Sequence, residues 1–594
     1  MLRRTVTCGE LRDSHIGQTV TLNGWVNSYR DHGNLIFIDL RDRFGLTQLV
    51  FDRDDVASKE KMDAADKLRN EDVVACKGVV RTRVGGANPK LSTGTIEIEV
   101  KEFELLSKTA NPPFLPDDLA KLPNEEIRLK HRYIDLRRPK MQHILGLRHR
   151  VMQSTRRYFD ENGFLEVETP ILYKSTPEGA REFLVPNRHV PGSWYALPQS
   201  PQLFKQILMV SGCDRYMQIC RCFRDEDPRA DRQAEFSQID LEMSFVRREH
   251  VMEMMEGFAR RLWKDAINID VPKFQVVSYR DAMEHYGIDR PDTRYDLNTV
   301  DVSEMLVGKT EFVPFNTALS AGDMLPRFNS KRGVVKVIRV PGSRDKLSRK
   351  IKDGYGEWCR KNYGTDVYYT NVVAMPDGGI TFETGIAKNI PAAVRDEIIR
   401  ALKAENGDVL LFVADAYSVA TKGIGELRQK VARDMGVVPP PGAEGGPWKF
   451  LWVIDFPMFE RNKETGKWVA MHHPFTSPRD DQMQAFLDAD TENEVVIESI
   501  VSAGYDMVLN GSEIAGGSVR IHSQDVQSKV FKLLGMTPES AREKTPSSST
   551  PSASARPRTP VSPSASTASS CTSSAPTTSA TSSPSRKPRS AKTS

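Results

Sequence analysis

Apolar and polar residues alternate through much of the first hundred positions. Residues 20–26 and 96–100 each carry apolar side chains at every second position, the period of a β-strand with one buried face. A turn containing Gly85 and Gly86 precedes the second segment. Several short strands in a segment of this length are typical of small closed barrels. We therefore predict an OB-type β-barrel over residues 1–108.

The pattern changes to a helical period over residues 141–162. The apolar and small residues that share one helical face are Ile144, Leu147, Val151, Thr155, Tyr158 and Phe159. Asn162 and Gly163 predict the C-terminal end of this helix. Residues 164–170, which end in Pro170, predict a strand.

Helix and strand patterns are mixed in the middle of the chain. This texture runs from about residue 288 to 447, where prolines and glycines cluster. Apolar runs at 450–454 and 505–509 predict two further strands. A proline-rich segment at 111–116 predicts a linker after the barrel.

The last 50 residues, 545–594, have a different composition. Of these, 42 are Ser, Thr, Pro or Ala, and none is Leu, Ile, Phe, Trp or Tyr. Such a segment cannot bury enough apolar surface to offset its ordering entropy, so we predict a disordered tail. It carries six Lys and Arg and no acid, which turns the net charge of +4 into −2 over residues 1–544. Because residues 1–544 carry almost no net charge, local basic patches on their surface would have to bind a nucleic acid.

Composition narrows the class of protein. Apolar residues make up 39% of the 594 positions and charged residues 27%, as in ordinary soluble proteins. No run approaches the ~18 apolar residues of a membrane span, and the N-terminus lacks the apolar core of a secretory signal. Seven scattered cysteines favour a reducing compartment over a disulfide framework. We expect a cytoplasmic protein.

The densest cluster of charge follows an apolar strand that ends at Arg224. A charged loop leads into a second strand, on which Phe236, Gln238, Asp240 and Glu242 alternate and therefore share one face. A guanidinium fixed at a strand end suits a phosphate group. A solvated hairpin loop is an equally good interpretation of the charge density alone.

Two smaller clusters precede this hairpin. Glu178 and Arg181 share a turn that could hold an ammonium and an anion, although an ordinary surface turn fits better on these residues alone. Ser200, Gln202 and Lys205 lie at the start of a helix and suit a small polar ligand. A capped amphipathic helix also explains that second pattern.

Two clusters lie further along the chain. His472 and His473 are adjacent, so they point apart on any regular element, and no zinc-type spacing accompanies them. Cys220 and Cys222 are more typical of packing residues on a strand than of a zinc site. Residues 510–520 combine glycines with Glu513, suited to Mg²⁺, and with Arg520, suited to a carboxylate.

Taken together, the five clusters resemble the bacterial-type aspartyl-tRNA synthetases, which are class II aminoacyl-tRNA synthetases. Residues 163–170 resemble class II motif 1, the dimer motif, and residues 223–236 resemble motif 2. The loops 175–181 and 199–205 resemble the aspartate type and disfavour a lysyl or asparaginyl enzyme.

The resemblance implies an α+β multidomain fold. Its parts are an OB-type anticodon-binding barrel (1–108), a linker (109–140), an antiparallel-sheet catalytic domain in two segments (141–287 and 422–544), a bacterial-type α/β insertion (288–421) and the disordered tail (545–594).

The family implies a role for each matching residue. Around aspartate, these are Glu178, Gln202 and Asp240 with the ammonium, Lys205 and Arg520 with the side-chain carboxylate, His472 in a closing loop, and Ser200 and Arg224 as further aspartate-binding residues. Around ATP, they are Arg224 on the α-phosphate, Glu226 on the adenine amino group, Phe236 stacked on adenine, and Asp225, Gln233 and Glu513. Asp506 and Glu513 would hold Mg²⁺. The catalytic residues would be Arg224, Glu513 and Arg520.

The implied partners are tRNA(Asp), ATP, L-aspartate and a second copy bound through motif 1. Arg30, Phe37 and Gln48 match anticodon-reading positions. His32 stands where family members that charge both tRNA(Asp) and tRNA(Asn) tend to carry His, and Gly86 lies near a second such position. We therefore hypothesise a non-discriminating enzyme. The alternative is that His32 is a solvated loop residue.

The chain departs from the family at two points. Ala515 replaces a usual glycine, and motif 3, which carries an ATP-binding arginine, is absent after residue 544. We hypothesise that 545–594 results from a shifted reading frame, because its composition fits shifted reading of a GC-rich gene. A genuine basic tail that helps to hold tRNA is the alternative. A tRNA-binding protein with an inactive catalytic domain is the runner-up function.

Overall fold

The computed structural model describes most of the chain as two compact units, Met1–His149 and Arg150–Ser594. The residues that it describes are 2–54, 59–117, 121–176, 180–227, 232–320, 333–383, 385–438, 447–462, 465–536, 560–561 and 565–566. Glu178, Cys571 and most of the tail lie outside these residues.

A closed five-stranded barrel forms the first unit. Its strands are β1 (Thr19–Asp31), β2 (Leu35–Asp42), β3 (Gly45–Asp52), β4 (Val73–Thr82) and β5 (Ile96–Ser107). They close in the order β1-β2-β3-β5-β4, with β3 and β5 parallel and the other pairs antiparallel. The alternating apolar side chains fill one core, which confirms the predicted OB-type barrel.

Helix α1 (Lys59–Ala65) lies between β3 and β4, and further helices follow the barrel along the chain. These are α2 (Glu125–Lys130), α3 (Arg132–Asp135) and α4 (Pro139–Glu161). The predicted helix over 141–162 is thus confirmed, and Gly163, with φ of 73°, follows its end. Phe159 on its apolar face is fully buried against Phe164 and Phe258.

The first segment of the catalytic domain contains six strands and three helices. The strands are β6 (Leu165–Glu166), β7 (Leu184–Pro186), β8 (Trp194–Ala196), β9 (Arg215–Phe223), β10 (Glu235–Met243) and β11 (Gln275–Ser278). The helices are α5 (Gln202–Val210), α6 (Arg248–Ile267) and α7 (Tyr279–Tyr286). The strand predicted over 164–170 is wrong beyond two residues. Thr169 leaves the ladder and donates its hydroxyl to Gln218 instead.

The inserted segment folds around its own antiparallel sheet. Its strands are β12 (Thr299–Asp301), β13 (Gly333–Val340), β14 (Val367–Ala374), β15 (Ile380–Phe382) and β16 (Val409–Ala416), in the order β12-β13-β16-β14-β15. Its helices are α8 (Ser303–Leu306), α9 (Val313–Ser320), α10 (Arg349–Tyr363), α11 (Ala392–Leu402) and α12 (Tyr417–Asp434). The boundary predicted at residue 421 falls inside α12, which shares a core with this sheet.

The second catalytic segment completes the large sheet. Its strands are β17 (Phe450–Ile454), β18 (Phe459–Arg461), β19 (Trp468–Ala470), β20 (Gly504–Leu509) and β21 (Ser512–Val519). Its helices are α13 (Met483–Asp488), α14 (Glu494–Ser499) and α15 (Gln524–Leu533). The strands predicted at 450–454 and 505–509 are therefore confirmed.

Four residues of the tail join this sheet. They form β22 (Pro560–Val561) and β23 (Ala565–Ser566). The order of the large sheet is β11-β17-β20-β21-β22-β10-β9-β6, and β23 also pairs with β10. These residues depart from the predicted disorder, because strand pairing uses the main chain, which a Ser/Thr/Pro/Ala segment has like any other.

None of the helices in the described part of the chain is long and apolar enough to span a membrane.

Arg428 of α12 stabilises the start of the inserted segment. Its side chain is fully buried and donates to the carbonyl oxygens of Leu297 at 2.7 Å and Asp292 at 2.8 Å. Close by, Gly287 has a φ of 72°, and a Cβ there would stand 2.7 Å from the Cα of Gly425. The chain therefore leaves the catalytic domain through a tightly packed turn.

We expect Arg428→Met to destabilise this chain by about 3–5 kcal/mol, because it leaves buried carbonyl oxygens without a hydrogen-bond donor. Thermal unfolding followed by circular dichroism measures the loss. Arg433→Met, an exposed change on the same helix, is the matched control. Equal melting temperatures for the two variants would contradict the role given to Arg428.

Candidate active site

A cavity of about 260 Å³ opens on one face of the large sheet. Its walls are Ser200, Gln202, Lys205, Arg224, Gln238, His472, His473, Thr476, Asp506, Glu513, Gly516, Gly517, Ser518 and Arg520. Eight of the predicted site residues are in this set. A volume of this order suits a small polar ligand.

Two acids of β10 hold the ammonium of Lys205 beside the cavity. Lys205 lies in the second turn of α5, is 2% exposed, and donates to Oδ1 of Asp240 at 2.7 Å. Its Nζ also lies 3.6 Å from Oε2 of Glu242. Both acids are buried, and they share a face because they are two positions apart on the strand. Asp240 therefore contacts Lys205 and is not a wall residue of the cavity.

Arg520 places a second buried cation in the cavity. It follows β21, is 8% exposed, and donates to Oε1 of Gln202 at 3.0 Å. Burial lowers the pKa of His472, whose ring packs edge-on against Phe456. Burial, with Arg520 and Lys205 nearby, also holds the pKa of His473 well below its usual value. Both imidazoles are therefore neutral at pH 7, and the positive charge of the site belongs to Lys205 and Arg520.

Arg224 lines the opposite side of the cavity. It ends β9, and its guanidinium carbon lies 5.1 Å from the centre of the Phe236 ring. Of the other residues predicted around ATP, Glu226 pairs with Arg232, while Asp225 and Gln233 are exposed. The structure thus brings Arg224 and Phe236 together and leaves the other three outside the cavity walls.

The hairpin of β20 and β21 carries two carboxylates into the cavity. Asn510 and Gly511 join the strands with φ of 51° and 83°, as a two-residue type I′ turn requires. Asp506 lies opposite Gly516 in the ladder. A Cβ at Gly516 would stand 2.6 Å from Oδ1 of Asp506 and 3.3 Å from Oε1 of Glu513. The missing side chain therefore leaves a cradle between two carboxylate oxygens.

The electrostatics of this cradle favour a cation. Burial and the neighbouring charges of Glu513 and Asp289 raise the pKa of Asp506 well above its usual value. Burial and Asp289 also raise the pKa of Glu513. No set of three or more His, Cys, Asp or Glu side chains able to bind a metal occurs among the described residues. Two carboxylates suit Mg²⁺, which keeps other positions for water and phosphate oxygens.

A polar patch covers one outer face of the barrel. Arg30 donates to Asp39 at 2.9 Å and to Oε1 of Gln48 at 3.2 Å. Gln48 is buried, accepts from Arg83 at 2.7 Å and donates to Glu97 at 2.9 Å. These bonds fix both ends of the Gln48 amide.

His32 and Phe37 lie at the edge of this patch. Phe37 is opposite Arg30 in the β1–β2 ladder, and the exposed ring of His32 meets it edge-on at 5.5 Å. Gly86 lies in the turn after β4 with a φ of 96°. The structure thus joins His32 to the predicted base-stacking ring, and it gives no contact between Gly86 and either residue.

Several residues of these sites were not among the predicted ones. They are Gln238, Glu242, His473, Thr476, Gly516, Gly517 and Ser518 at the cavity, and Arg83 and Glu97 on the barrel. The alternation of β10 signals Gln238 and Glu242, because they share a face with Asp240. Thr476 and Ser518 gave no such signal, since only the tertiary fold brings their strands together.

Comparisons of sequence agree with this geometry. Residues 124–547 match the profile of the family described as tRNA synthetases class II (D, K and N). Residues 20–106 match that of the OB-fold nucleic acid binding domain. The class II match ends three residues into the Ser/Thr/Pro-rich tail.

Curated relatives are similar over most of their length. The chain is 46% identical to the Aspartate--tRNA(Asp/Asn) ligase of Symbiobacterium thermophilum over 91% of this chain and 88% of that one. It is 44% identical to the Aspartate--tRNA ligase of Bacillus licheniformis over 91% and 87%.

Solved structures share the fold. The asparaginyl-tRNA synthetase of Pyrococcus horikoshii is similar, with a TM-score of 0.53 and 16% identity over 95% of this chain and 93% of that one. With the family match and the curated relatives, this likeness leads to one conclusion: the chain belongs to the class II aminoacyl-tRNA synthetases and, within them, to the bacterial aspartate–tRNA ligases.

Proposed function

We propose that this chain activates L-aspartate with ATP and transfers the aspartyl group to the 3′ end of tRNA(Asp). The observation that carries the proposal is the pair of buried cations, Lys205 and Arg520, that line one cavity. Two cations attract a substrate carboxylate strongly. The neutral amide of asparagine lacks this charge–charge attraction, so the site favours aspartate.

The other groups around the cations suit the rest of the amino acid. Gln202 and Ser200 supply oxygens for the substrate ammonium, and Asp240 adds negative charge beneath them. Glu178, proposed for the same ammonium, lies outside the described residues. His472 is neutral and lines the cavity, so it can close over aspartate without adding charge.

The chemistry needs positioning more than proton transfer. The α-carboxylate of aspartate attacks the α-phosphorus of ATP, and pyrophosphate leaves. Arg224 is proposed to bind the α-phosphate and Phe236 to stack on adenine, with Asp225, Glu226 and Gln233 at its edge. Asp506 and Glu513 would hold Mg²⁺, which neutralises phosphate charge when bound. Arg224, Glu513 and Arg520 then fix the reacting groups.

The barrel supplies the tRNA contact. Phe37 offers a partly exposed ring for stacking and Arg30 offers donors to base edges, while the buried amide of Gln48 holds Arg30 in place beside them. Single-stranded anticodon bases are recognised by these two kinds of contact. This patch therefore supports anticodon reading by Arg30, Phe37 and Gln48.

A homodimer through motif 1 and a cytoplasmic location complete the proposal. Strand β6 of motif 1 lies at the edge of the large sheet. Leu165, Ile171 and Leu172 around it are exposed. An exposed sheet edge with apolar side chains favours pairing with another chain.

The runner-up function is tRNA binding by an inactive synthetase. It rests on one observation: motif 3 is absent after residue 544, and residues of the tail lie between β10 and β21 in the large sheet. Relatives named as ligases match over 91% of the chain and do not favour it.

Aspartate-dependent exchange of pyrophosphate into ATP tests the proposal and the frame hypothesis together. We expect exchange from a version whose frame after codon 544 restores motif 3, and none when Mg²⁺ is removed. We expect the chain with residues 545–594 to be slower by about 10²–10³, the effect of losing one charged donor at a reacting phosphate. Equal exchange by both versions would show that the tail does not impair activation, and resequencing without a frame change near codon 544 would refute the frame hypothesis. No exchange from either version would refute the ligase proposal.

Arg520→Leu tests the aspartate site. In the motif-3-complete version we expect this change to lower kcat/KM for aspartate. The loss corresponds to an activation free energy higher by about 3–5 kcal/mol, because the change breaks a buried charged contact. Arg349→Leu, an exposed change on α10, is the control and should keep full activity. An unchanged kcat/KM in the Arg520 variant would show that this residue does not bind the substrate.

The choice of tRNA depends on the barrel. We propose that His32 lets the enzyme charge tRNA(Asn) as well as tRNA(Asp), since its ring contacts the base-stacking Phe37. Charging of both tRNAs by the motif-3-complete version should be comparable. His32→Leu should lower charging of tRNA(Asn) at least tenfold more than charging of tRNA(Asp), a difference of about 1.4 kcal/mol. The idea is wrong if the parent enzyme does not aspartylate tRNA(Asn).

A further inference from the structure

Glu242 is a buried carboxylate to which neither the family resemblance nor the proposed function gives a role. It is 1% exposed, and neither of its oxygens accepts a hydrogen bond from a described residue. Its closest cation is Lys205, with Nζ 3.6 Å from Oε2. A buried carboxylate without hydrogen bonds is costly, so its retention beside a binding cavity calls for a physical reason.

The groups facing Glu242 come from every element packed against it. Lys205 lies on α5, Asp240 on β10, Arg520 after β21, Tyr216 on β9 and Tyr505 on β20. Burial raises the pKa of both tyrosines, so they stay neutral at pH 7. The net charge of this buried cluster is therefore set by the two cations, Lys205 and Arg520, and the two carboxylates of β10. His473, which faces the same cations, is also neutral.

A substrate carboxylate changes the net charge of the cavity when it binds. In the empty cavity, Asp240 and an ionised Glu242 match the charges of Lys205 and Arg520. A carboxylate bound between the two cations adds one negative charge, which repels Glu242 in a buried site. Uptake of one proton by Glu242 from solvent restores neutrality. A neutral amide adds no charge and requires no proton.

We propose that Glu242 is a positioning residue. It holds the Lys205 ammonium toward the cavity, and it exchanges its own negative charge for that of the aspartate side chain by taking up one proton from solvent. This inference rests on the proposed aspartate site.

The ionisation of Glu242 makes this exchange accessible near neutral pH. Burial raises its pKa to about 7, against the opposing effects of Lys205 and Arg520. A bound carboxylate raises that pKa further. Aspartate affinity is therefore constant below about pH 7, and it falls as pH rises above that value, by at most about tenfold for each pH unit. The direction follows because the protonated form of Glu242 is the one that accepts the substrate.

Isothermal titration calorimetry with L-aspartate on the full chain tests the proposal without ATP. Titrations at pH 7.5 in phosphate and in Tris, which differ in heat of ionisation, count the protons taken up for each aspartate bound. We expect an uptake of at most about three-quarters of a proton at pH 7.5, because a pKa of about 7 leaves part of Glu242 protonated before aspartate binds. The Kd should rise between pH 7 and 8.5. Glu242→Gln should abolish both effects, because a neutral amide replaces the titrating group. Glu253→Gln, an exposed change on α6, should retain both.

Glu242→Asp serves as a second variant, since it keeps a carboxylate but shortens its reach to Lys205. It should retain proton uptake and bind aspartate more weakly. Binding of aspartate without proton uptake, or equal uptake in the parent chain and Glu242→Gln, overturns the inference and leaves the aspartate site intact. No binding of aspartate by the parent chain overturns the proposed site and the inference with it.

Discussion

The need to neutralise two buried cations organises the catalytic cavity. A charge removed from water is tolerated only when opposite charge and hydrogen bonds surround it. Lys205 meets this condition through Asp240 and Glu242, whereas Arg520 donates to the neutral amide oxygen of Gln202. These contacts tie α5 to β10 and to the end of β21, so one electrostatic requirement sets the positions of three elements.

The same principle acts with the opposite sign at the β20–β21 hairpin. Asp506 and Glu513 share a cradle that Gly516 keeps open, and burial together with the charge of Glu513 raises the pKa of Asp506. A divalent cation relieves the repulsion between these carboxylates. The cavity therefore has a positive part suited to a carboxylate and a negative part suited to a metal.

Local patterns were sufficient to predict the elements but not their contacts. Alternation located the barrel strands, β17 and β20, and the helical period located α4. The bond between Gln202 and Arg520 joins residues 318 positions apart, which no local period reports. Likewise, the amide of Gln48 is fixed by Glu97 from a distant strand. Strand β6 was predicted too long, because its pairing with β9 ends at Glu166 and Thr169 bonds the side chain of Gln218 instead.

The junction of β10 and β21 shows what a strand contributes beyond main-chain bonding. These two strands do not pair with each other, and the described residues of the tail pair with Gln238, Ile239 and Glu242 of β10. Pro560 has no N–H, so β22 cannot donate at that position. A Ser/Thr/Pro/Ala segment also offers no large apolar face to the core between the two strands. The tail can therefore occupy this position in the sheet, but it cannot replace the packing and the charged groups that a catalytic strand brings to it.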